Sequence, residues 1–228
     1  MNKIQKIGHR GAKGYEPENT LVAFQKAIDL GCDGIELDVH LSADNEIIVI
    51  HDETIDRTSN GKGFVNQMTL SELKKFRIDE KHEIPTLEEV FKLINHKISI
   101  NIELKSFKAA EKVVELIEKY VKERKWEYND FVVSSFDWNA LQQVRFLNDK
   151  IQIGVLTATD LDLAFAFAKL IKAKTINPYF QLLNKENVTK IHNKELEIHT
   201  WTVNKASDIS KMRILNVDAI ISDFPDRI

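Results

Sequence analysis

The sequence has little cysteine and no long hydrophobic run. Cys32 is the single cysteine among 228 residues. One thiol cannot form an internal disulfide, so we interpret Cys32 as a packing residue and expect a reducing, cytoplasmic compartment. The first eleven residues contain no apolar signal core. The most apolar run, residues 161–171, is too short to span a bilayer, so we expect no membrane insertion.

The chain also lacks an excess of positive charge. It carries 32 Lys and Arg against 35 Asp and Glu, which gives a net charge of -3. This balance gives no electrostatic reason to expect binding of nucleic acid or of an anionic membrane. With 43% hydrophobic and 29% charged residues, the composition suits one globular domain over residues 1–228.

Strand and helix signals alternate along most of the chain. The predicted strands cover residues 3–9, a segment around Glu36, and residues 98–105, 131–136, 151–157, 175–178, 196–203 and 219–223. The predicted helices cover residues 21–30, 86–96, 109–122, 138–147, 160–172, 185–193 and 205–215. About eight strand–helix steps, in a chain close to the ~250 residues typical of the fold, predict an α/β protein with a TIM (β/α)8 barrel. An open, doubly wound sheet is the structural alternative.

Residues 53–85 interrupt this alternation. Residues 57–63 have a loop-like composition, and Thr69 with Glu72 predicts a capping box for a short helix. A second capping box, Thr86 with Glu89, opens the next helix. We interpret residues 53–85 as a small insertion after the second strand, with too few apolar residues for a core of its own.

The strand around Glu36 alternates in an unusual way. Ile35, Leu37, Val39 and Leu41 share one face, and Glu36, Asp38 and His40 share the other. If helices cover the apolar face, the two carboxylates turn inward and require a compensating positive charge. A divalent cation, Mg²⁺ or Ca²⁺, suits such oxygen ligands. The alternative is an edge strand with a solvated acidic face.

A predicted hairpin brings a histidine to the same place. Residues 42–45 form a turn signal, followed by a second strand at residues 46–51. A tight hairpin centred on Ala43 and Asp44 would pair Asp38 with Val49 and Glu36 with His51. His51 would then lie beside the two carboxylates.

Further chemistry falls at the predicted strand ends, where a barrel carries its active site. His9 and Arg10 end the first strand, and Glu103 and Lys105 end the third. A lysine turned into a barrel mouth requires an anion, and phosphate fits best. The alternative for Glu103 and Lys105 is an ordinary ion pair.

The sequence resembles the glycerophosphodiester phosphodiesterase family, in its bacterial type, over essentially its whole length. The motifs that carry the resemblance are His9-Arg10-Gly11, Glu16-Pro17-Glu18-Asn19-Thr20, Glu36-Leu37-Asp38-Val39, His51-Asp52, Glu103-Leu104-Lys105, Trp201-Thr202-Val203-Asn204 and Ser222-Asp223-Phe224-Pro225-Asp226.

The resemblance implies a TIM-barrel enzyme of glycerol and lipid metabolism. It implies metal-dependent hydrolysis of glycerophosphodiesters, such as glycerophosphocholine or glycerophosphoethanolamine, to glycerol 3-phosphate and an alcohol. By motif position, the resemblance implies that Glu36, Asp38 and Glu103 hold one Mg²⁺ or Ca²⁺ and that His9 and His51 act as the acid–base pair. It further implies that Arg10, Lys105 and Trp201 bind the phosphate or the substrate. Glu18, Asn204 and Asp223 would have supporting roles.

Several alternatives stay open at this point. A phospholipase D acting on lysophospholipids or sphingomyelin would use the same barrel, and a catalytically idle barrel would bind phosphodiesters or sugar phosphates. Either water or the glycerol 2-hydroxyl could attack first, and either histidine could be the acid. We expect a small-molecule substrate and a monomer or homodimer.

Overall fold

The computed structural model describes residues 3–228, which contain nine strands. They are β1 Gln5–His9, β2 Gly34–Leu41, β3 Ile47–Val49, β4 Ser99–Leu104, β5 Phe131–Ser135, β6 Gln152–Thr157, β7 Thr175–Pro178, β8 Glu197–Thr200 and β9 Ala219–Ser222. All except β3 are parallel and form one ring, because β1 pairs with β9 on one side and with β2 on the other. The predicted TIM barrel is confirmed. The open-sheet alternative is wrong, since no edge remains between β1 and β2.

Helices lie between the strands of the ring. They are α1 Leu21–Asp29, α2 Leu70–Leu73, α3 Leu87–Ile94, α4 Ala109–Glu123, α5 Trp138–Leu147, α6 Leu161–Leu170, α7 Lys185–His192 and α8 Ala206–Leu215. Both predicted capping boxes are formed, at Thr69–Glu72 and at Thr86–Glu89. Thr20 caps α1 by accepting from the backbone N–H of Ala23. No helix of the described chain is long and apolar enough to cross a membrane.

The alternation in β2 separates the core from the barrel interior. Ile35, Leu37 and Val39 are fully buried and belong to the same hydrophobic cluster as Phe24 of α1 and Phe91 of α3. The helices therefore cover the apolar face of the strand. Its charged face points into the barrel, and the solvated edge strand is excluded.

The hairpin register differs from the prediction by one residue. Val39 pairs with Val49, so Asp38 does not lie opposite Val49 and Glu36 does not lie opposite His51. The loop contains three residues, 43–45, and Asn45 has a φ of +62°. A turn followed by one left-handed residue is a common three-residue hairpin loop, and asparagine tolerates that conformation. The expected turn contained only residues 43 and 44, so the additional loop residue, Asn45, shifts the pairing by one position.

Residues 53–85 pack against the β2–β3 hairpin. The N–H of Val49 donates to the carbonyl of Pro85 at 2.8 Å, and that of Ala43 to the carbonyl of Met68 at 2.8 Å. Apolar residues of this segment pack together with Ile48 and Ile50 of the hairpin. A second hydrophobic cluster, separate from the main one, contains Ile48, Ile50, Ile55, Val65, Leu73, Ile78 and Ile84. Its residues are spaced too irregularly for a period of 2 or 3.6 to reveal them.

Candidate active site

Three carboxylates meet where β2 and β4 pair. The register places Asp38 beside Glu103 and Glu36 beside Asn101 on the neighbouring strand. One oxygen from each of Glu36, Asp38 and Glu103 lies within 4.8 Å of the other two. The side chains of Glu36, Asp38 and Glu103 are 5%, 1% and 12% exposed. The structure thus brings together the three residues predicted as metal ligands.

This crowding perturbs the carboxylates. Burial, together with the charges of Asp38 and Glu103, raises the pKa of Glu36 well above its usual value. Burial and the charge of Asp38 also raise the pKa of Glu103. Burial alone would raise the pKa of Asp38 too, but the positive charges of Arg10 and Lys105 lower it below its usual value. The site holds more negative charge than its own cations neutralise.

The donor set fits a hard divalent cation. All three groups are carboxylates, they are close enough to share one ion, and Mg²⁺ and Ca²⁺ prefer oxygen ligands. In residues 3–228, no other group of three or more acidic, histidine or cysteine side chains is arranged in this way.

Arg10 and Lys105 flank the carboxylates. Arg10 Nε lies 3.2 Å from Asp38 Oδ2, and Lys105 Nζ lies 3.5 Å from Asp38 Oδ1. Lys105 Nζ also donates to Glu103 Oε1 at 2.7 Å. Both predicted phosphate-binding cations are therefore at the site, next to the carboxylates.

The loop after β1 is held in a strained conformation. Arg10 has a φ of +51°, and its backbone N–H donates to Glu36 Oε2 at 3.0 Å. Gly11 has a φ of +82°, and a Cβ there would lie 2.6 Å from the backbone of Ala23. Only glycine can occupy that position, since a side chain would be both strained and blocked. The loop thereby fixes where His9 and Arg10 point.

His9, at the end of β1, is held by the last strand of the barrel. Its Nδ1 lies 2.6 Å from Asp223 Oδ1, while Asn204 donates to Asp223 Oδ2 at 2.8 Å. Burial raises the pKa of Asp223, but the hydrogen bond to His9 lowers it below its usual value, so the carboxylate is ionised. His9 Nδ1 therefore carries the proton and donates it to Asp223. His9 Nε2, 4.0 Å from Glu36 Oε2, is left as the nitrogen that can exchange a proton.

His51 has a similar arrangement. Its Nδ1 lies 2.6 Å from Asp52 Oδ1, and it lines the same cavity as His9, Glu36 and Glu103. The hairpin register does not place it there, because β3 ends at Val49 and His51 lies in the bend that follows. The prediction that His51 lies beside the carboxylates is confirmed, for a different structural reason.

Four residues of the site were not singled out from the sequence. Asn19 Nδ2 donates to Asp38 Oδ2 at 2.9 Å, and His40 Nε2 donates to the carbonyl of His51 at 3.1 Å. Asp52 orients His51, and Arg57 binds Asp52 and Glu18. Asn19 and Asp52 were inside motifs already quoted, so their motif positions were a usable signal. The alternation in β2 placed His40 on the charged face with Glu36 and Asp38, although no role was assigned to it, and Arg57 offered no signal.

Apolar side chains form the other wall of the cavity, which has a volume of about 120 Å³. They are Phe136, Leu156, Trp201 and Ile221. Trp201 is held in place because its Nε1 donates to the carbonyl of Asn177 at 2.7 Å, and the ring of Phe136 packs edge-on against it. A ligand in this cavity would meet charge on one side and an apolar wall on the other.

Comparisons with known proteins agree on one family. Residues 9–227 match the model of the glycerophosphoryl diester phosphodiesterase family. A glycerophosphodiester phosphodiesterase of Caldanaerobacter subterraneus subsp. tengcongensis is 39% identical, over 96% of this chain and 94% of that protein. The structure of a glycerophosphodiester phosphodiesterase from Thermotoga maritima is similar at a TM-score of 0.85, with 30% identity over 99% of this chain and 97% of that one.

A further solved structure contains a bound product. It is an Oleispira antarctica phosphodiesterase in complex with sn-glycerol-3-phosphate. Its TM-score to this chain is 0.90, with 26% identity over 98% of this chain and 94% of that one.

Proposed function

Because the chain belongs to the glycerophosphoryl diester phosphodiesterase family of phosphoric diester hydrolases, we propose that it hydrolyses glycerophosphodiesters such as glycerophosphocholine and glycerophosphoethanolamine. The products are glycerol 3-phosphate and the free alcohol. The product complex of the Oleispira antarctica phosphodiesterase supports this choice of substrate.

One observation carries the proposal. His9 and His51 line one cavity together with Glu36, Glu103, Arg10 and Lys105, and Asp38 lies directly behind them in contact with Arg10 and Lys105. Each histidine has its Nδ1 bound to an aspartate, which leaves its Nε2 for proton exchange. Phosphodiester hydrolysis requires one proton to leave the attacking oxygen and one to reach the leaving oxygen. Two imidazoles of this kind supply that pair of transfers.

Glu36, Asp38 and Glu103 would hold one Mg²⁺ or Ca²⁺. Such an ion, when bound, offsets negative charge on a phosphoryl oxygen. Arg10 and Lys105 add positive charge beside the same carboxylates and would bind the phosphate. Trp201 and its apolar neighbours would contact the uncharged part of the substrate and exclude water.

A specific observation favours a second candidate. Phe136 at the cavity and Phe107, two residues after Lys105, are each 48% exposed. Exposed aromatic side chains at a barrel mouth suit a substrate with an acyl chain, such as a lysophospholipid. Release of choline from lysophosphatidylcholine vesicles, compared with release from glycerophosphocholine, distinguishes the two substrates.

The test is release of glycerol 3-phosphate from a panel of glycerophosphodiesters, with and without EDTA. We expect EDTA to abolish turnover, and Mg²⁺ or Ca²⁺ to restore it better than Zn²⁺, since the ligands are all carboxylates. Glu103→Gln should remove the restored activity. Glu197→Gln is the matched control, because Glu197 pairs with Lys174 outside the active site. Full turnover in excess chelator contradicts the metal assignment.

A further inference from the structure

Arg57 belongs to the segment 53–85, outside the barrel strands, yet it binds two carboxylates next to the active site. Its Nε donates to Asp52 Oδ2 at 2.6 Å, and its Nη2 donates to Asp52 Oδ1 at 3.1 Å. Its Nη1 donates to Glu18 Oε2 at 3.0 Å, and its Nη2 donates to Glu18 Oε1 at 2.7 Å. One guanidinium therefore makes a two-point contact with each carboxylate.

Each of these carboxylates holds a different group of the active site. Asp52 Oδ1 accepts the Nδ1 proton of His51 at 2.6 Å. Glu18 Oε1 accepts from Arg10 Nη1 at 2.7 Å. Arg57 is thus linked to His51 through Asp52 and to Arg10 through Glu18. His51 and Arg10 lie on separate parts of the chain.

We propose that Arg57 is a positioning residue, which locks Asp52 and Glu18 together and thereby fixes the orientation of the His51 imidazole and the Arg10 guanidinium. The proposal rests on the proposed function, in which His51 exchanges a proton and Arg10 binds phosphate. It assigns a role in the reaction to the segment 53–85, whose other contacts are with the hairpin and with Glu89 of α3.

Arginine suits this position and lysine does not. A planar guanidinium can bind two carboxylates through two parallel hydrogen bonds each, whereas an ammonium acts as a point charge. The charges are in place for such binding. Burial raises the pKa of Glu18, but its hydrogen bonds to Arg57 and the charge of Arg10 lower the pKa to about 2. The hydrogen bonds from Arg57 likewise hold the pKa of Asp52 below its usual value.

If Arg57 served only to stabilise the fold, its removal would lower the melting temperature without a separate effect on His51 or Arg10. The Arg57 side chain is 49% exposed. When it is removed, Glu18 keeps its contact with Arg10 and Asp52 keeps its contact with His51, so we expect only a small loss of stability. The effect should instead fall on His51 and Arg10.

The experiment compares Arg57→Ala and Arg57→Lys with Arg77→Ala. Arg77 is the matched control, because it lies in the same segment, donates to the carbonyls of Lys74 and Phe76, and pairs with Glu83. For each variant we would measure kcat and KM on a glycerophosphodiester, the melting temperature, and the ¹H–¹⁵N signals of the His51 ring.

We expect Arg57→Ala to lower kcat/KM by about 10–100-fold, as removal of a side chain that orients an active-site group typically does. Its melting temperature should stay close to that of the wild type. The Nδ1–H signal of His51 should shift or broaden, and added methylguanidinium should restore part of the activity. Arg57→Lys should recover only part of the loss, and Arg77→Ala should change stability but not kcat.

Two results would overturn the proposal. One is an unchanged His51 signal with kcat/KM within twofold of the wild type in Arg57→Ala. The other is an activity loss in Arg57→Ala that a lower melting temperature fully accounts for. If the wild type itself hydrolyses no glycerophosphodiester, the proposed function fails, and the His51 signal still decides whether Arg57 fixes that ring.

Discussion

His9 and Asp223 form a 2.6 Å hydrogen bond although 214 residues separate them in the sequence. His51 makes the corresponding contact with Asp52, its immediate neighbour. At the residue scale, both histidines therefore have the same arrangement: a carboxylate binds Nδ1, and Nε2 is the nitrogen available for proton exchange. Different parts of the fold supply the two carboxylates.

Removing either histidine tests this arrangement. His9→Ala and His51→Ala should each reduce kcat by roughly 10²–10⁴-fold, the range typical of a general acid or base. Affinity for Mg²⁺ or Ca²⁺ should stay near the wild-type value, because neither imidazole belongs to the carboxylate set. Turnover assays and metal titrations measure the two effects.

A control and a rescue make this test specific. His192→Ala breaks a His–Asp contact of 2.9 Å outside the active site and should leave kcat unchanged. A nitrophenyl ester, whose leaving group needs little protonation, should rescue the variant that lacks the acid and thereby assign the two roles. Near wild-type rates in both active-site variants would refute acid–base catalysis by these histidines.

Lys105 offers a second test at this scale. Lys105→Ala should weaken binding of glycerol 3-phosphate about 10–100-fold, since a hydrogen bond to a charged group contributes about 1.5–3 kcal/mol. Calorimetry with Mg²⁺ or Ca²⁺ present measures the affinity. Lys112→Ala, which removes an exposed lysine paired with Glu115, is the control. Unchanged affinity with a sharply lower melting temperature would make Lys105 only an ion-pair partner of Glu103.

At the scale of elements, the position of the His51 side chain depends on where β3 ends and not on the register in which β3 pairs with β2. A one-residue shift of a strand reverses which side chains face the core. Here the shift does not displace His51, because the strand ends two residues before it and the bend at 51–53 directs the side chain. His40 then anchors that bend through the carbonyl of His51.

Helix α3 packs on the barrel through Leu87, Val90, Phe91 and Ile94, and Phe91 makes its aromatic contacts. The ring centroid of Phe91 lies 5.0 Å from that of Phe131 on β5, 5.0 Å from that of Tyr120 on α4 and 5.5 Å from that of Trp126. Phe91→Ala should reduce the free energy of unfolding by about 3–5 kcal/mol. Urea denaturation measures the change.

Phe146 provides the comparison for this prediction. It is 84% exposed on α5, so Phe146→Ala should change stability by less than about 0.5 kcal/mol. Equal losses in the two variants would show that α3 does not depend on the aromatic cluster around Phe91.

At the scale of the whole molecule, ring closure concentrates negative charge. The barrel places Glu36, Asp38 and Glu103 in its interior, where Arg10 and Lys105 compensate only part of their charge. A cation that binds this site in the folded state, and does not bind the unfolded chain, should therefore stabilise the fold.

The melting temperature tests this coupling without any substrate. At 100 times its dissociation constant, Mg²⁺ or Ca²⁺ should add about 2.7 kcal/mol to the free energy of unfolding. EDTA should reverse the rise in melting temperature, and Glu103→Gln should abolish it. A rise of equal size in Glu103→Gln would place the stabilising ion elsewhere.

The sequence by itself determined the order of strands and helices, the buried face of β2 and the charged residues at the strand ends. These features follow from local signals: alternation within a strand, helical spacing of apolar residues, and caps such as Thr86 with Glu89. Each signal depends on neighbours within a few residues, so the sequence carries it directly. Motif order then added the family resemblance, which the comparisons confirmed.

Tertiary structure alone decided which side chains meet. The contact between His9 and Asp223 exists because β1 and β9 are neighbours in the closed ring, and that between Arg57 and Glu18 exists because residues 53–85 fold back beside the first loop. Asn45 fixed the hairpin register through a left-handed φ. Such contacts depend on ring closure and on backbone conformations that many sequences share, so no local pattern of residues specifies them.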